Sequence, residues 1–271
     1  MIGHNHIGKN GRFGNQMFQY AATRGIAYNQ EVDFIIPDGP KSDDEFNDEE
    51  NQHKLFMAFN MTGAKNIGLL EAPYRKEATF RFDGELFENC DDNLNLYGYF
   101  QSEEYFAHIE DEIREDFTFK PEVQKLCKEI WKEIVTDEGH TEAIALHVRR
   151  TDHLIKPTFH PVLPISYYEE ALGRLPKDIP VFVFTDDPSW AFGHPFFESD
   201  RFFISESDNV HDMCLMSMCN YNIIANSTFS WWGAWLAGHD NVIGPKLWFG
   251  PDGEDPTDIF INRWEYIDVV N

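Results

Sequence analysis

The feature that most constrains the fold is a regular alternation of segment types after Glu138 and Gly139. Short apolar runs such as "IALHV" and "VFVF" alternate with longer segments whose apolar residues recur at helical spacing. Fully apolar strands are typical of parallel sheets that are covered on both faces. The order β-α-β-α-β-α-β is the pattern of a doubly wound sheet. The second half of the chain is therefore predicted to be an α/β domain built on a parallel sheet.

The first half has a similar mixture of elements in a looser arrangement. Its predicted elements are strands at 32–37 and 94–101 and helices at 14–27, 102–117 and 121–135. Those of the second half are strands at 143–148, 179–187, 221–226 and 241–245 and helices at 164–175, 209–219 and 227–238. We place a domain boundary near residue 138, which gives two α/β domains, 1–138 and 139–271, with a cleft expected between them.

The charge balance argues against one class of partner. The chain carries 47 acidic and 22 basic residues, a formal net charge of −25. Nucleic acids and anionic lipid surfaces are bound by clustered lysine and arginine, so neither is expected as the main partner. The acidic run 41–52 is interpreted as a solvated surface loop, because a metal site needs a more ordered set of ligands.

The sequence predicts a cytoplasmic protein. No stretch reaches the roughly 18 apolar residues of a membrane span, and "MIGHNHIGKN" lacks the apolar core of a secretory signal. The cysteines show neither a Cys-x-x-Cys pair nor metal-finger spacing, which favours reduced thiols. They are Cys90, Cys127, Cys214 and Cys219.

Polar side chains follow three of the predicted strands. Arg149 and Arg150 come after "IALHV", the run 185–187 follows "VFVF", and the run 226–228 follows "YNIIA". Ligands of open parallel sheets bind at the carboxyl ends of the strands. If the three strands are neighbours, an arginine pair, two carboxylates and a helix start meet at one edge of the sheet.

The helix that begins at Ser227 is a candidate phosphate site, because its first N–H groups are free and its dipole favours an anion. An arginine beside it would add a two-pronged donor. Since successive strand residues point to opposite faces, only one of Arg149 and Arg150 should face the ligand. The other would brace the strand end, against Asp152 for example. A structural arginine–aspartate pair with no ligand is the alternative.

Three other motifs have a structural and a functional interpretation. The loop "GKNGRFGNQ", which contains Gly14, allows a backbone to approach a ligand closely, but it lacks the Walker and dinucleotide spacings and could be a plain turn. In "TDD", the acids could hold a metal, although Asp187 before Pro188 is more typical of a helix cap. The tryptophans of "WWGAWLAG" are expected in the core, with sugar stacking as the alternative. They are Trp231, Trp232 and Trp235.

Taken together, several motifs resemble the α-1,2-fucosyltransferases of glycosyltransferase family 11. They are "GRFGNQMFQYAA", "LYGYFQSEEYF", "HVRRTD", "YYEEAL", "VFVFTDD" and "IIANSTFSWWGAWLAG", and they follow the order of the family between about residues 11 and 249. The block "HVRRTD" is also similar to the α-1,6-fucosyltransferases, and "GRFGNQ" is similar to the protein O-fucosyltransferases.

The resemblance implies a GT-B-like fold, with two Rossmann-like doubly wound domains facing a cleft. Residues 1–138 would form the acceptor side and 139–271 the donor-binding domain. It implies GDP-β-L-fucose as the donor, inversion at the anomeric carbon, no required metal and no other cofactor. The acceptor would be the 2-hydroxyl of a galactose-terminated oligosaccharide.

The resemblance also assigns residues. Arg149 would hold the β-phosphate with support from Arg150, and His147 would pack beside the donor. Asp212 would accept hydrogen bonds from the guanine edge, and Asn15 would lie near the sugar. The remaining donor-binding positions that it implies are Gly14, Ser227, Thr228, Phe229 and Ser230.

Two departures from the family pattern affect these expectations. The polar start "MIGHNHIGKN" predicts a truncated or irregular first strand. The α-1,6 enzymes have a glutamate base five residues after the aspartate of the motif, where this chain has Pro157. The remaining candidates for a base are Asp152, His153 and His160, and a sufficiently dissociative reaction needs none.

The same motifs fit other functions. A fucosyltransferase could act on a core glycan or a protein instead of a galactoside. The chain could also be a non-catalytic nucleotide-sugar-binding module. A nucleotide-dependent oxidoreductase is disfavoured by the incomplete glycine fingerprint.

Overall fold

The computed structural model describes residues 1–39 and 53–269, which form two compact units. The first unit comprises Met1–Lys120 with Asp255–Ile261, and the second comprises Pro121–Glu254 with Asn262–Asn271. The division therefore falls at Lys120, before the boundary near 138 that the sequence suggested. The acidic run 41–52 lies outside the described residues.

The first unit is built on a parallel sheet with the strand order β2-β1-β4-β3. The strands are β1 Ile2–Gly3, β2 Phe34–Ile35, β3 Tyr74–Lys76 and β4 Leu94–Tyr97. The helices are α1 Phe13–Asn29, α2 Leu55–Ala58, α3 Gly84–Asn89 and α4 Glu110–Asp116, with 3-10 turns at Glu103–Tyr105, Ala107–Ile109 and Thr257–Ile259. The truncated first strand is confirmed, because β1 has two residues although it lies between β2 and β4.

Helix α1 is enclosed on nearly all sides and forms the centre of this unit. The fully buried Asp116 connects α1 to the neighbouring segments of this unit. The carboxylate accepts hydrogen bonds from the hydroxyl of Tyr20 (2.5 Å) and the backbone N–H of Gly63 (2.6 Å), and it forms an ion pair with Arg24. These contacts join two turns of α1 to the end of α4 and the loop at Gly63.

The second unit has a parallel sheet in the order β10-β9-β8-β5-β6-β7. The strands are β5 Ile144–Val148, β6 Val181–Thr185, β7 Phe202–Ile204, β8 Tyr221–Ile223, β9 Val242–Pro245 and β10 Glu265–Ile267. The helices are α5 Pro121–Trp131 with a π-helical continuation Lys132–Thr136, α6 Thr151–Ile155, α7 Ile165–Gly173, α8 Pro188–Phe192, α9 Asn209–Met218 and α10 Thr228–Ala237, with a 3-10 turn at Pro195–Phe197. Helix α5 belongs to this unit because it packs against α9.

The strand order of the second unit is that of a doubly wound sheet. From β5 the chain runs outward through β6 and β7, then returns to β8 on the other side of β5 and continues through β9 to β10. The direction of winding reverses between β5 and β8, which is where ligands of such sheets bind. The predicted doubly wound sheet is confirmed.

The tryptophans of α10 are core residues, as expected: Trp231, Trp232 and Trp235 are buried and pack on one another. Gly238 closes the helix with φ of 73°, the left-handed conformation that glycine adopts at low cost. The four cysteines are buried free thiols. In the part of the chain that the structure describes, every helix is too short or too polar to cross a bilayer.

Candidate active site

The site forms at the carboxyl ends of β5 and β8. These strands are paired in parallel, with Leu146 opposite Ile223, so the residues that follow them reach the same edge of the sheet. The ring of His147 lies 5.5 Å from the ring of Phe229, in the first turn of α10. Strand β6 is the other neighbour of β5. The predicted convergence of the three strand ends is therefore confirmed.

The start of α10 is a capped helix N-terminus. The hydroxyl of Ser227 accepts a hydrogen bond from the N–H of Phe229 at 3.3 Å, and Thr228 is the first helical residue. Ser230 is buried, and its hydroxyl accepts from the N–H of Ala225 at 3.2 Å. Ser230 therefore stabilises the turn from β8 into α10. Its contact with the diphosphate stays a prediction.

The two arginines have different partners. Arg149, whose side chain is 14% exposed, donates to Asp152 at 2.9 Å and forms an ion pair with Asp186 at 3.2 Å. Arg150 pairs with Asp187 at 3.2 Å, and its guanidinium carbon lies 3.9 Å from the ring centroid of Trp190. Asp152 was expected to brace the arginine that turns away from the ligand, but it pairs with Arg149.

Arg149 and Arg150 have different partners because their side chains point in different directions. Trp190 packs against the core cluster to which Leu146 and Val148 contribute, so Arg150 lies on that side of β5. Asp152 lies in the first turn of α6, where it faces the residue three positions earlier.

The carboxylates of "TDD" each stabilise the beginning of a helix. Asp187 accepts from the N–H of Trp190 at 3.2 Å and is followed by Pro188, so the predicted cap of α8 is confirmed. Asp186 accepts from the N–H of Arg150 at 2.8 Å and from both the N–H and the hydroxyl of Thr151, at 3.2 and 2.5 Å. Within 1–39 and 53–269, no group of three or more His, Cys, Asp or Glu side chains is arranged to hold a metal ion.

The three candidate bases come together after β5. The rings of His153 and His160 are stacked at 4.9 Å with 10° between their planes, and Phe249 lies 5.6 Å from His160. Burial lowers the pKa of both histidines, while the negative charge of Asp152 acts in the opposite direction. Both rings are therefore expected to be mostly neutral at pH 7, as a general base requires.

Asn226, directly after β8, holds the segment that carries these residues. Its amide donates to the backbone oxygens of Pro161 (2.9 Å) and Trp248 (3.1 Å). The N–H of Gly250 donates to the oxygen of Phe159 at 2.9 Å. A Cβ atom at Gly250 would lie 2.3 Å from the oxygen of Thr158, so only glycine fits this approach. The sequence offered one signal for Asn226, its position after a strand, and gave it no role.

Two further donor-site candidates are buried. Burial lowers the pKa of His147 to about 4, so its ring is neutral at pH 7. Asp212, in the first turn of α9, accepts from the hydroxyl of Ser205 at 2.5 Å, and burial raises its pKa to about 7. Ser205 follows β7, so Asp212 lies near the carboxyl end of that strand.

The glycine loop of the first unit is a tightly held turn before α1. Gly11 has φ of 91°, and a Cβ atom there would lie 2.7 Å from the side chain of Asn15. Asn15 accepts from the amide of Gln101 at 3.1 Å. Gly14 is buried and helical, in the first turn of α1. Gly11, not Gly14, is therefore the glycine of this loop that has a left-handed conformation. That Asn15 lies near a bound sugar stays a prediction.

Comparison with known proteins supports the resemblance seen in the motifs. The model of glycosyl transferase family 11 matches residues 1–268. The chain is 32% identical to the O-antigen biosynthesis glycosyltransferase WbnK of Escherichia coli, over 78% of this chain and 72% of the relative. It is 27% identical to an alpha-1,2-colitosyltransferase of Escherichia coli, over 95% and 97% of the two chains. Galactoside alpha-(1,2)-fucosyltransferase 1 of Alouatta belzebul is 28% identical, over 94% and 72%.

The fold is shared with solved fucosyltransferases. The crystal structure of NodZ from Bradyrhizobium superposes with a TM-score of 0.57 at 16% identity, covering 87% of this chain and 92% of NodZ. Another crystal structure of NodZ, an alpha-1,6-fucosyltransferase, was soaked with GDP-fucose. The GT-B-like α/β fold class is therefore confirmed.

Proposed function

This chain belongs to glycosyl transferase family 11, and on that premise we propose that it transfers L-fucose from GDP-β-L-fucose to the 2-hydroxyl of a terminal β-galactoside. The observation that carries the proposal is the meeting of the β5 end with the start of α10, where Arg149 follows His147 and His147 contacts Phe229. A guanidinium beside a helix N-terminus is suited to a diphosphate. Relatives named for galactoside and colitose transfer support the reaction class.

In the proposed reaction the acceptor oxygen attacks the anomeric carbon from the face opposite GDP. The bond between that carbon and the phosphate oxygen breaks, its electron pair stays on the β-phosphate, and the configuration inverts. The sugar passes through an oxocarbenium-like state. Arg149 and the N–H groups at the start of α10 lower the barrier because the charge on the phosphate grows as the bond breaks.

The ion pairs of Arg149 fit this role. Asp186 is held by three hydrogen bonds from Arg150 and Thr151, so it fixes one side of the guanidinium. Asp152 is 42% exposed and lies on a five-residue helix. It can turn away when a phosphate competes for Arg149, and its carboxylate would then be the second candidate to accept the proton.

The proton of the acceptor hydroxyl goes to a base on the same segment. His160 is the candidate we favour with Asp152, because its ring is half-buried with a lowered pKa. Its Nδ1 is buried, so Nε2 is the atom that would accept the proton. His153, stacked on it, has Nδ1 3.3 Å from the oxygen of Pro161. His153 is therefore better placed to orient His160 than to meet the acceptor.

The test is a transfer assay with the purified chain, GDP-fucose and EDTA. Lactose, N-acetyllactosamine and free sugars serve as acceptors, and linkage analysis identifies the product. We expect an α-1,2-linked fucosyl galactoside that forms in the presence of EDTA. Product on a protein or a core glycan alone would indicate another acceptor, and GDP-fucose binding without turnover would indicate a binding module.

Colitosyl transfer is a second candidate, because the relative named for that activity matches 95% of this chain. Running the same acceptors with GDP-colitose separates the two. Fucosyl transfer is supported if kcat/KM for GDP-fucose exceeds that for GDP-colitose.

A further inference from the structure

Three aromatic rings meet beside the carboxyl ends of β1 and β4 in the first unit. The ring of His6 lies 4.7 Å from that of Tyr97 and 5.4 Å from that of Tyr74, edge-on to both, and the two tyrosine rings are 6.3 Å apart. Tyr97 is the last residue of β4, Tyr74 is the first residue of the neighbouring β3, and His6 follows β1. We refer to these rings as the aromatic triad.

The backbone around the triad is held by buried amides. Asn5 donates to the oxygen of Leu70 at 2.9 Å and accepts from its N–H at 3.0 Å. Asn95, fully buried in β4, donates to the oxygens of Leu70 (2.7 Å) and Ala72 (3.2 Å). These bonds fix the segment that leads into Tyr74. Its ring is therefore positioned in advance, which reduces the entropy lost when a ligand binds.

The triad exposes the ring of Tyr74, and the rings of His6 and Tyr97 are partly buried beside it. Tyr74 is 54% exposed, and Leu69 beside the clamped Leu70 is also exposed. Burial lowers the pKa of His6, so the surface is expected to carry no imidazolium at pH 7. Nδ1 of His6 is buried and has no hydrogen-bond partner in the described part of the chain. An uncharged ligand with an apolar face and hydroxyl groups matches these properties.

We propose that the aromatic triad binds the acceptor sugar, with the C–H face of a β-galactoside against the exposed ring of Tyr74 and with Tyr97 and His6 at its edge. Hydroxyl groups of the sugar would bond to the phenol groups and to the imidazole of His6. This inference rests on the proposed function, and it names the acceptor-binding residues that the sequence left unassigned. His6 lies after β1 and Tyr97 lies at the carboxyl end of β4, where ligands of open parallel sheets bind, and the ring of Tyr74 reaches them from the first residue of β3.

The chain offers a matched control in Tyr28. This tyrosine is 57% exposed, contacts a histidine ring, that of His108, at 5.7 Å, and lies at the end of α1. It lines a cavity of about 680 Å³ together with Asp33, whose oxygen accepts from the N–H of Ile2 at the amino end of β1. Tyr28 thus has an exposure and a ring contact like those of Tyr74, but it lies near the amino end of β1, away from the triad.

The experiment measures kcat and the KM values of lactose and GDP-fucose for the parent, Tyr74→Ala, Tyr74→Phe and Tyr28→Ala. We expect Tyr74→Ala to raise the KM of lactose about 5- to 10-fold, the loss of one stacked ring, and to leave the KM of GDP-fucose unchanged. Tyr74→Phe keeps the ring and loses one hydrogen bond to a sugar hydroxyl, so it should raise the KM of lactose by about 2-fold, less than Tyr74→Ala does. An unchanged lactose KM in Tyr74→Ala, or an equal rise in Tyr28→Ala, would overturn the inference.

A binding measurement separates this inference from the proposed function. Saturation-transfer NMR with lactose and no donor detects acceptor binding, and calorimetry with GDP detects nucleotide binding independently of the acceptor. We expect a lactose signal that weakens in Tyr74→Ala while GDP binding is unchanged. If the parent protein binds GDP but gives no lactose signal, the triad is not the acceptor site, whereas the proposed donor site is unaffected. Circular dichroism melts verify that each variant is folded.

Discussion

The imidazole ring of His147, one residue from the end of β5, lies 5.5 Å from the ring of Phe229 in the first turn of α10. This contact joins the two sides of the point where the winding of the second sheet reverses. Arg149 lies two residues further along, at the edge where the helix begins. The arrangement brings a guanidinium and a helix N-terminus to one edge of the sheet, which is the basis of the proposed donor site.

Asp212 predicts a pH dependence of nucleotide binding. Its pKa is raised to about 7 by burial, so the carboxylate that would accept from guanine forms only as the pH passes that value. We expect GDP affinity, measured by calorimetry, to rise between pH 6 and pH 8 and to be weaker and flat with pH in Asp212→Asn. The exposed neighbour Glu206 supplies the control Glu206→Gln, which should behave as the parent. Equal GDP affinity at pH 6 and 8 in the parent would contradict the role.

The raised pKa of Asp212 lowers the stability of the folded protein as the pH rises, whereas it increases the affinity for GDP. A carboxyl group whose folded pKa lies above its unfolded value favours folding at low pH, and this contribution is lost as the pH rises through about 7. Asp212→Asn, which stays neutral, should therefore melt at least as high as the parent at pH 8.

The lowered pKa of His160 predicts how kcat/KM depends on pH on the acidic side of the optimum. Its pKa is lowered by burial, so the neutral base persists below pH 6.5 and kcat/KM should fall only as the pH drops further. If His160 is the general base, His160→Gln should lower turnover about 10²- to 10⁴-fold and remove this pH dependence. His140→Gln, at a half-buried histidine before β5, is the control. A profile of His160→Gln that superimposes on the parent's would exclude His160 and leave Asp152.

Asp116 predicts a large loss of stability that is unrelated to catalysis. Asp116→Ala leaves Arg24 with its charge unpaired and removes the acceptor of Tyr20 and Gly63. Breaking a buried ion pair costs about 3–5 kcal/mol, which should lower Tm by roughly 10 °C. Glu115→Ala, at an exposed position of the same helix, should change Tm by no more than about 2 °C. Melting of Asp116→Ala within that same margin would contradict the structural role.

The central strands were predictable from sequence, and the edge strands were not. Strand β5 is buried on both faces, so its residues form a continuous apolar run. Strand β7 is apolar but only three residues long, and all three are partly exposed. Strand β10 is also three residues long, and only Ile267 in it is buried. The helix expected at 102–117 is interrupted at Phe106, whose φ of −139° lies outside the helical region. Such breaks depend on tertiary packing, which local spacing does not encode.

The location of the candidate site could be predicted, but its contacts could not. The parallel pairing of β5 with β6 and β8 brings the residues that follow these strands to one end of the sheet, independently of the side-chain conformations. The pairing of Asp152 with Arg149 depends on the direction of the short helix α6, and the burial of Ser230 depends on the rotation of α10 about its axis. Both are properties of the packed structure. The role of Asn226 likewise depends on two segments distant in sequence.

The most direct test of the account is the effect of Arg149→Ala on transfer from GDP-fucose. The control is Arg174→Ala, an arginine that is 40% exposed and also pairs with two carboxylates, those of Glu170 and Glu265. Losing one preorganised donor to a developing anion typically lowers turnover about 10²- to 10³-fold, so we predict at least that loss in Arg149→Ala, with Arg174→Ala near the parent. If folded Arg149→Ala transfers fucose at close to the parental rate, the departing phosphate is not stabilised at this edge of the sheet and the account is contradicted.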